Sequence, residues 1–149
     1  MTFLEELREE IAADEGVKHE IYLDHLGFKT CGIGHLCLGH ELEYNLPVGT
    51  RITEERVAEL FDQDIKRTLS DCQVIHPEYD DYPAEAQKVI ASMCYQMGMP
   101  RLMKFRKTND LIKKRMWREA SIEMLNSRWH EQTPQRAKRL SQRMAAIAD

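Results

Sequence analysis

No apolar run among the 149 residues approaches the ~20 needed to cross a bilayer, so membrane insertion is not expected. The first ten residues, MTFLEELREE, carry four glutamates and no apolar core of the kind a secretory leader has. Synthesis and folding in a cytosol follow as the expectation. No repeat, low-complexity stretch or Pro/Gly-rich linker interrupts the chain, which leaves one domain, divided at most into two lobes. Only four cysteines are present, Cys31, Cys37, Cys72 and Cys94. At this length and without a leader they read as reduced thiols, not as a disulfide framework. Cys31, His35, Cys37 and His40 crowd within ten residues, but C-x3-H-x-C-x2-H is not a standard zinc spacing, and no metal or other cofactor is expected. The stretch RAKRLSQR is basic, yet no nucleic-acid-binding motif accompanies it, so no nucleic-acid partner is expected.

What is present is an ordinary globular composition, 42% hydrophobic and 31% charged, with a net charge of −4. The charge is unevenly placed. Residues 1–75 hold 7 Lys and Arg against 16 Asp and Glu, whereas residues 100–149 hold 13 against 5. The bland reading is a solvated helical surface; the other is a basic face that attracts anionic matter.

Thr2 and Glu5 form a T-x-x-E capping box before apolar residues at helical spacing, Phe3, Leu4, Leu7 and Ile11. Gly16 should end that helix, which puts Glu15 at its last turn. Strand formers Ile21, Tyr22 and Leu23 follow, then the turn residues Asp24-His25-Leu26-Gly27, then Phe28, Thr30 and Ile33 in a second strand pattern cut by Gly32 and Gly34. A third short strand is expected around Thr50–Ile52. Thr53 with Glu54 and Glu55 starts a long helix, over about 53–71, with Val57, Leu60, Phe61, Ile65 and Leu69 on one face. The remainder is helical, with Val89, Ile90, Met93 and Met97 in a central helix and Leu111, Ile112, Trp117, Ile122 and Leu125 on further apolar faces. Trp117, Trp129 and the methionines are expected to fill the core.

Cleaving a glycosidic bond needs an acid to protonate the leaving oxygen and a second carboxylate to act on the opposite face of the sugar. Glu15 at a helix end and Asp24 on a turn could flank a groove, with Thr30 holding a water. Spacing alone does not carry this, because the chain has 25 acidic residues and most such residues are exposed and solvated.

The local sequence says more. DEGVKHEIYLDHLGFKTCGIGHL resembles the catalytic segment of the phage-type lysozyme family, in which Glu, eight residues, Asp or Cys, five residues and Thr precede GIGH. Glu15, Asp24, Thr30 and Gly32-Ile33-Gly34-His35 fit that pattern. RITEERVAELFDQD, MCYQMG and SRWHEQTPQRAKR resemble later segments of the same family, so the likeness covers most of the chain. The resemblance implies a lysozyme-like α+β fold, predominantly helical, with a small lobe over about 13–60 carrying a short antiparallel sheet. A helix over about 53–71 would join it to a helical lobe built from 1–12 and 72–149. It implies hydrolysis of the β-1,4 bonds between N-acetylmuramic acid and N-acetylglucosamine in bacterial peptidoglycan, with inversion. In that reading Glu15 is the general acid, Asp24 activates water and Thr30 places it. Arg136 supports the acid, His35 and Asp64 form a structural ion pair, and Leu36, Tyr95 and Gln96 line the saccharide groove. The family's biology implies a monomer made in the host cytoplasm and released to the wall through a holin. The alternative is a peptidoglycan-binding module that kept the fold and lost turnover. The segment between Leu36 and Thr50 and the C-terminus are both shorter than in the family's best-known member, and the calculated pI, 5.9, is acidic where that enzyme is basic.

Overall fold

The computed structural model describes all residues, 1–149, and the chain contacts divide them into two compact units, Met1–Arg67 and Thr68–Asp149.

The first unit opens with helix α1, Phe3–Glu15. Its N-terminus is closed on both sides: the Thr2 hydroxyl accepts the Glu5 N–H at 3.2 Å, and the Glu5 carboxylate accepts the Thr2 N–H at 3.1 Å. Leu7 and Ile11, one turn apart, are fully buried, which stabilises the unit by about 1.5–3 kcal/mol each. Gly16 stops the helix at φ +76°, a backbone conformation that side chains disfavour. Strands β1 (Lys18–Leu23), β2 (Lys29–Gly32) and β3 (His35–Leu36) then form an antiparallel sheet in that order. Tyr22 pairs with Thr30, and Thr30 pairs in turn with Leu36, so these three residues form one row across the sheet.

The third strand is therefore His35–Leu36, not Thr50–Ile52. The latter segment lies beside β1 without joining the sheet as a strand. Arg51 makes an isolated bridge with Glu20, and the Ile21 and Ile52 N–H groups donate to Thr50 and His19 carbonyls at 2.9 and 2.8 Å. Pro47, which has no N–H, and the Gly49 turn leave too little extended chain for a ladder. Helix α2, Glu54–Ile75, follows the Thr53 cap, whose hydroxyl accepts the Arg56 N–H at 3.1 Å. It runs four residues beyond the expected Asp71, and the division between the units falls within it. Val57, Leu60, Phe61 and Ile65 are buried as their spacing predicts.

The second unit takes the end of α2 and helices α3 (Ala84–Met97), α4 (Met99–Met103), α5 (Arg106–Lys113), α6 (Trp117–Met124), α7 (Arg128–Gln132) and α8 (Pro134–Ala146). Val89, Ile90, Met93 and Met97 make α3 its buried centre, and Trp117, Trp129, Met124, Leu140 and Met144 pack in the same core. Ile122, expected on an apolar face, is 66% exposed. With Ala120, Ser121 and Met124 buried on α6, Ile122 falls on the opposite side of the helix.

Candidate active site

Glu15 is the last residue of α1, so its position is fixed by the helix, while Gly16 turns the chain away. Its carboxylate rests against the tight turn between β2 and β3. A methyl group built on Gly34 would meet Glu15 Oε1 at 2.7 Å, and Gly34 has φ +61°. Two constraints thus require glycine at this position, the backbone conformation and the close approach of the glutamate. Gly34→Ala is expected to cost about 1–2 kcal/mol in stability from backbone strain, and about 100-fold in turnover from displacement of the carboxylate. Urea unfolding and a turbidity assay on the same preparation separate the two effects.

Asp24 opens the turn between β1 and β2. Its Oδ1 accepts the N–H groups of Leu26 and Phe28, both at 2.9 Å, and its own N–H donates to the Phe28 carbonyl. One carboxylate oxygen is thereby used in the turn, and Oδ2 takes no part in it. Thr30 is buried on β2 and donates its hydroxyl proton to the Phe28 carbonyl at 3.0 Å. Its oxygen lone pairs are left for an incoming donor. Leu36, the next member of that row, is half exposed.

Tyr22 is a functional candidate the sequence reading passed over as a strand former. Burial raises its hydroxyl pKa, and the negative charges of Glu15 and Asp24 add to the rise, so the ring sits within the field of both carboxylates. The Lys18 ammonium lies 4.2 Å above its centroid. Position in the chain was the available signal: Tyr22 lies near the end of β1, two residues before Asp24. Tyr22→Phe is expected to lower kcat/KM about tenfold, or ~1.4 kcal/mol, with the thermal midpoint nearly unchanged. Steady-state kinetics on soluble glycan fragments checks this.

His35 is buried between two carboxylates. Nδ1 lies 2.7 Å from Asp64 Oδ2 and Nε2 lies 2.8 Å from Glu41 Oε1. Asp64 was anticipated; Glu41, which also accepts the Leu38 N–H at 2.7 Å, was not. Burial lowers the His35 pKa, but the two hydrogen-bonded carboxylates outweigh it and the net shift is upward. Because both ring nitrogens are engaged by carboxylates, neither is left to bind a metal alongside Cys31, Cys37 and His40.

In the second unit Gln96 is held at both ends of its amide, accepting the Trp129 indole N–H at 2.8 Å and donating to Thr133 at 3.3 Å. Tyr95 precedes it on α3, half-buried. Arg136, on α8, donates from Nη2 to the Ser92 hydroxyl and carbonyl at 3.0 and 3.3 Å. Glu15, Asp24, Thr30, Leu36, His35 and Asp64 therefore belong to the first unit, and Tyr95, Gln96 and Arg136 to the second.

Residues 12–146 match the family described as Phage lysozyme. The chain belongs to that family. Phage lysozymes are glycoside hydrolases, and the chain is one by membership. It is 30% identical over 153 residues to a Dictyostelium discoideum protein named "Probable T4-type lysozyme 2", covering 90% of each chain. It is 34% identical to "Peptidoglycan hydrolase gp36" of Pseudomonas phage phiKMV, over 95% of this chain and 15% of that protein. It is 26% identical to "Pre-baseplate central spike protein Gp5" of Enterobacteria phage T4, over 91% of this chain and 27% of that one. The same lysozyme sequence therefore accounts for nearly the whole of the Dictyostelium relative and for a minor part of the two phage proteins.

Proposed function

We propose that the chain is an N-acetylmuramidase that hydrolyses the β-1,4 bond between N-acetylmuramic acid and N-acetylglucosamine in bacterial peptidoglycan, with inversion at the anomeric carbon. What supports this is that one unit holds both carboxylates the reaction calls for, Glu15 seated on the Gly34 turn and Asp24 with one oxygen used in its own turn.

Glu15, protonated, donates to the glycosidic oxygen as the carbon–oxygen bond breaks. Asp24, ionised, takes a proton from a water that attacks the opposite face of the ring, and the Thr30 hydroxyl oxygen accepts a hydrogen bond from that water. The reading calls for carboxyl groups roughly 6.5–9.5 Å apart, which leaves room for the water; at about 5–5.5 Å a covalent intermediate and retention would follow instead. Leu36, Tyr95 and Gln96 bind saccharide in this scheme, and Arg136 supports the acid. In its biological setting the chain acts as a monomer that lyses the host after holin-dependent release.

Purified peptidoglycan digested with the protein and reduced with borohydride is the test. Muramitol as the new terminal residue is the expected product. Glucosaminitol would move the cleaved bond to the other linkage, and no new reducing end at all would leave a wall-binding module. An α-anomer seen first by NMR during digestion is the expected stereochemistry, since the bond cleaved is β.

A further inference from the structure

The second unit holds a cleft of about 420 Å³ whose residues the proposed hydrolysis does not use. Lys104, Arg106 and Lys107 line it, together with Thr108, Glu123 and Asn126. The three basic side chains are exposed, and none of them takes part in an ion pair within the protein. Basic residues on a helical surface are ordinarily just solvated. What these three surround argues for more. The first hydrogen bond of α5 runs from the Asn109 N–H to the Phe105 carbonyl at 2.8 Å. The N–H groups of Arg106, Lys107 and Thr108 therefore have no acceptor within the helix. Phe105, at the cap position, has no side-chain oxygen to offer them, and no other side chain caps the helix. The chain has 25 acidic residues, yet the first turn of α5 carries none. Arg106 and Lys107 stand there instead, against the positive end of the helix, where a cation is disfavoured and an anion is stabilised.

Thr108 supplies an independent observation. It is only 2% exposed, it lines the same cleft, and its hydroxyl has no hydrogen-bond partner in the protein. A buried hydroxyl left without a partner is costly, and one that borders a cleft is free to bond whatever enters it.

We propose that this cleft binds a phosphate group, either free or esterified to a glycan. The uncapped N–H groups of α5 and the Thr108 hydroxyl donate to the phosphate oxygens, and Lys104, Arg106 and Lys107 balance the charge. A phosphate suits this set better than a carboxylate does. Its oxygens point in several directions and it carries nearly two charges at neutral pH, whereas a carboxylate offers two oxygens in one plane and a single charge. Glu123 is the opposing group. It faces the same cleft, and its Oε1 accepts the Asn126 amide N–H at 3.4 Å. Its charge repels an anion, so removing that charge should tighten binding. None of these residues has a part in the hydrolysis proposed above, and the site is additional to that reading.

The test follows the backbone amides of the isotopically labelled whole chain by NMR while sodium phosphate is added, with sodium chloride holding the ionic strength constant. The expected result is saturable shifts of the Arg106, Lys107 and Thr108 N–H signals. Thr108→Val keeps the shape and removes the hydroxyl, and should raise Kd about tenfold. Lys107→Gln should also raise Kd, and Glu123→Gln should lower it. Lys107 is exposed, so its variant reports on the site even if the Thr108 variant does not fold. A second arm with N-acetylglucosamine phosphate separates the sources: saturation by the ester marks a glycan-borne phosphate, and saturation by inorganic phosphate alone marks a free one. Shifts no larger than chloride produces, equal shifts at basic residues across the whole surface, or tighter binding of acetate than of phosphate would each overturn the proposal. The readout involves no hydrolysis, so it can fail while muramidase activity stands, or the reverse.

Discussion

Glu15→Gln is expected to abolish lysis while leaving the fold intact. Loss of a general acid costs about 10²–10⁴ in rate, and the amide keeps the size of the carboxyl that rests on Gly34, so packing against the turn is preserved. The expected result is a turbidity trace on chloroform-treated Gram-negative cells indistinguishable from buffer, with a circular dichroism spectrum and thermal midpoint matching wild type. The comparison isolates one proton, since glutamine can neither donate it to the leaving oxygen nor carry the charge that follows. Wild-type lysis by this variant would remove Glu15 from the mechanism, and an unfolded variant would show that the residue is needed for the helix end itself.

His35→Leu is expected to cost about 3–5 kcal/mol, because it leaves Glu41 and Asp64 buried without the imidazole between them. The wild-type protein should also show a pH-dependent stability in which two groups work in opposite senses. The folded pKa of His35 is raised, so its contribution is fully present below its unfolded value, about 6.5, and is lost as pH rises through the folded value. Glu41 is lowered: burial alone would raise it, but the Leu38 N–H and His35 overcome that. Its contribution is present above the unfolded value and lost as pH falls through the folded one. Stability should therefore form a plateau between the carboxylate range and the raised histidine range. Urea midpoints at a series of pH values measure this. The gap between wild type and His35→Leu should narrow as the solution is made alkaline through the histidine range. A gap constant with pH would mean that the imidazole has the same pKa in the folded and unfolded chain.

How far these features were legible in the sequence depended on whether the cause was local. The α1 cap, the Thr53 cap and the turn at Asp24 are short-range hydrogen-bond patterns, and each formed where the residues announced it. The Glu15–Asp24–Thr30 spacing was readable as a family pattern, and the structure supplies what spacing could not, the seat of Glu15 on Gly34. Glu41 was invisible because nothing periodic marks a loop acid that folds back to a histidine six residues earlier. Tyr22 was read for its strand propensity, which says nothing of the burial and the Glu15 and Asp24 charges that raise its hydroxyl pKa. The third strand was misplaced because His35–Leu36 is only two residues long and directly follows a glycine turn, so it offers no alternation to detect. Ile122 shows the reverse error, an apolar residue counted as core although its helix turns it outward.

Glu15, Asp24, Thr30 and Tyr22 all lie within residues 1–67. In the proposed mechanism the distance between acid and base is consequently an internal dimension of that unit, held by one helix end and two turns. On that reading the space for the attacking water is set by the fold of residues 1–67 and does not depend on motion in the rest of the protein.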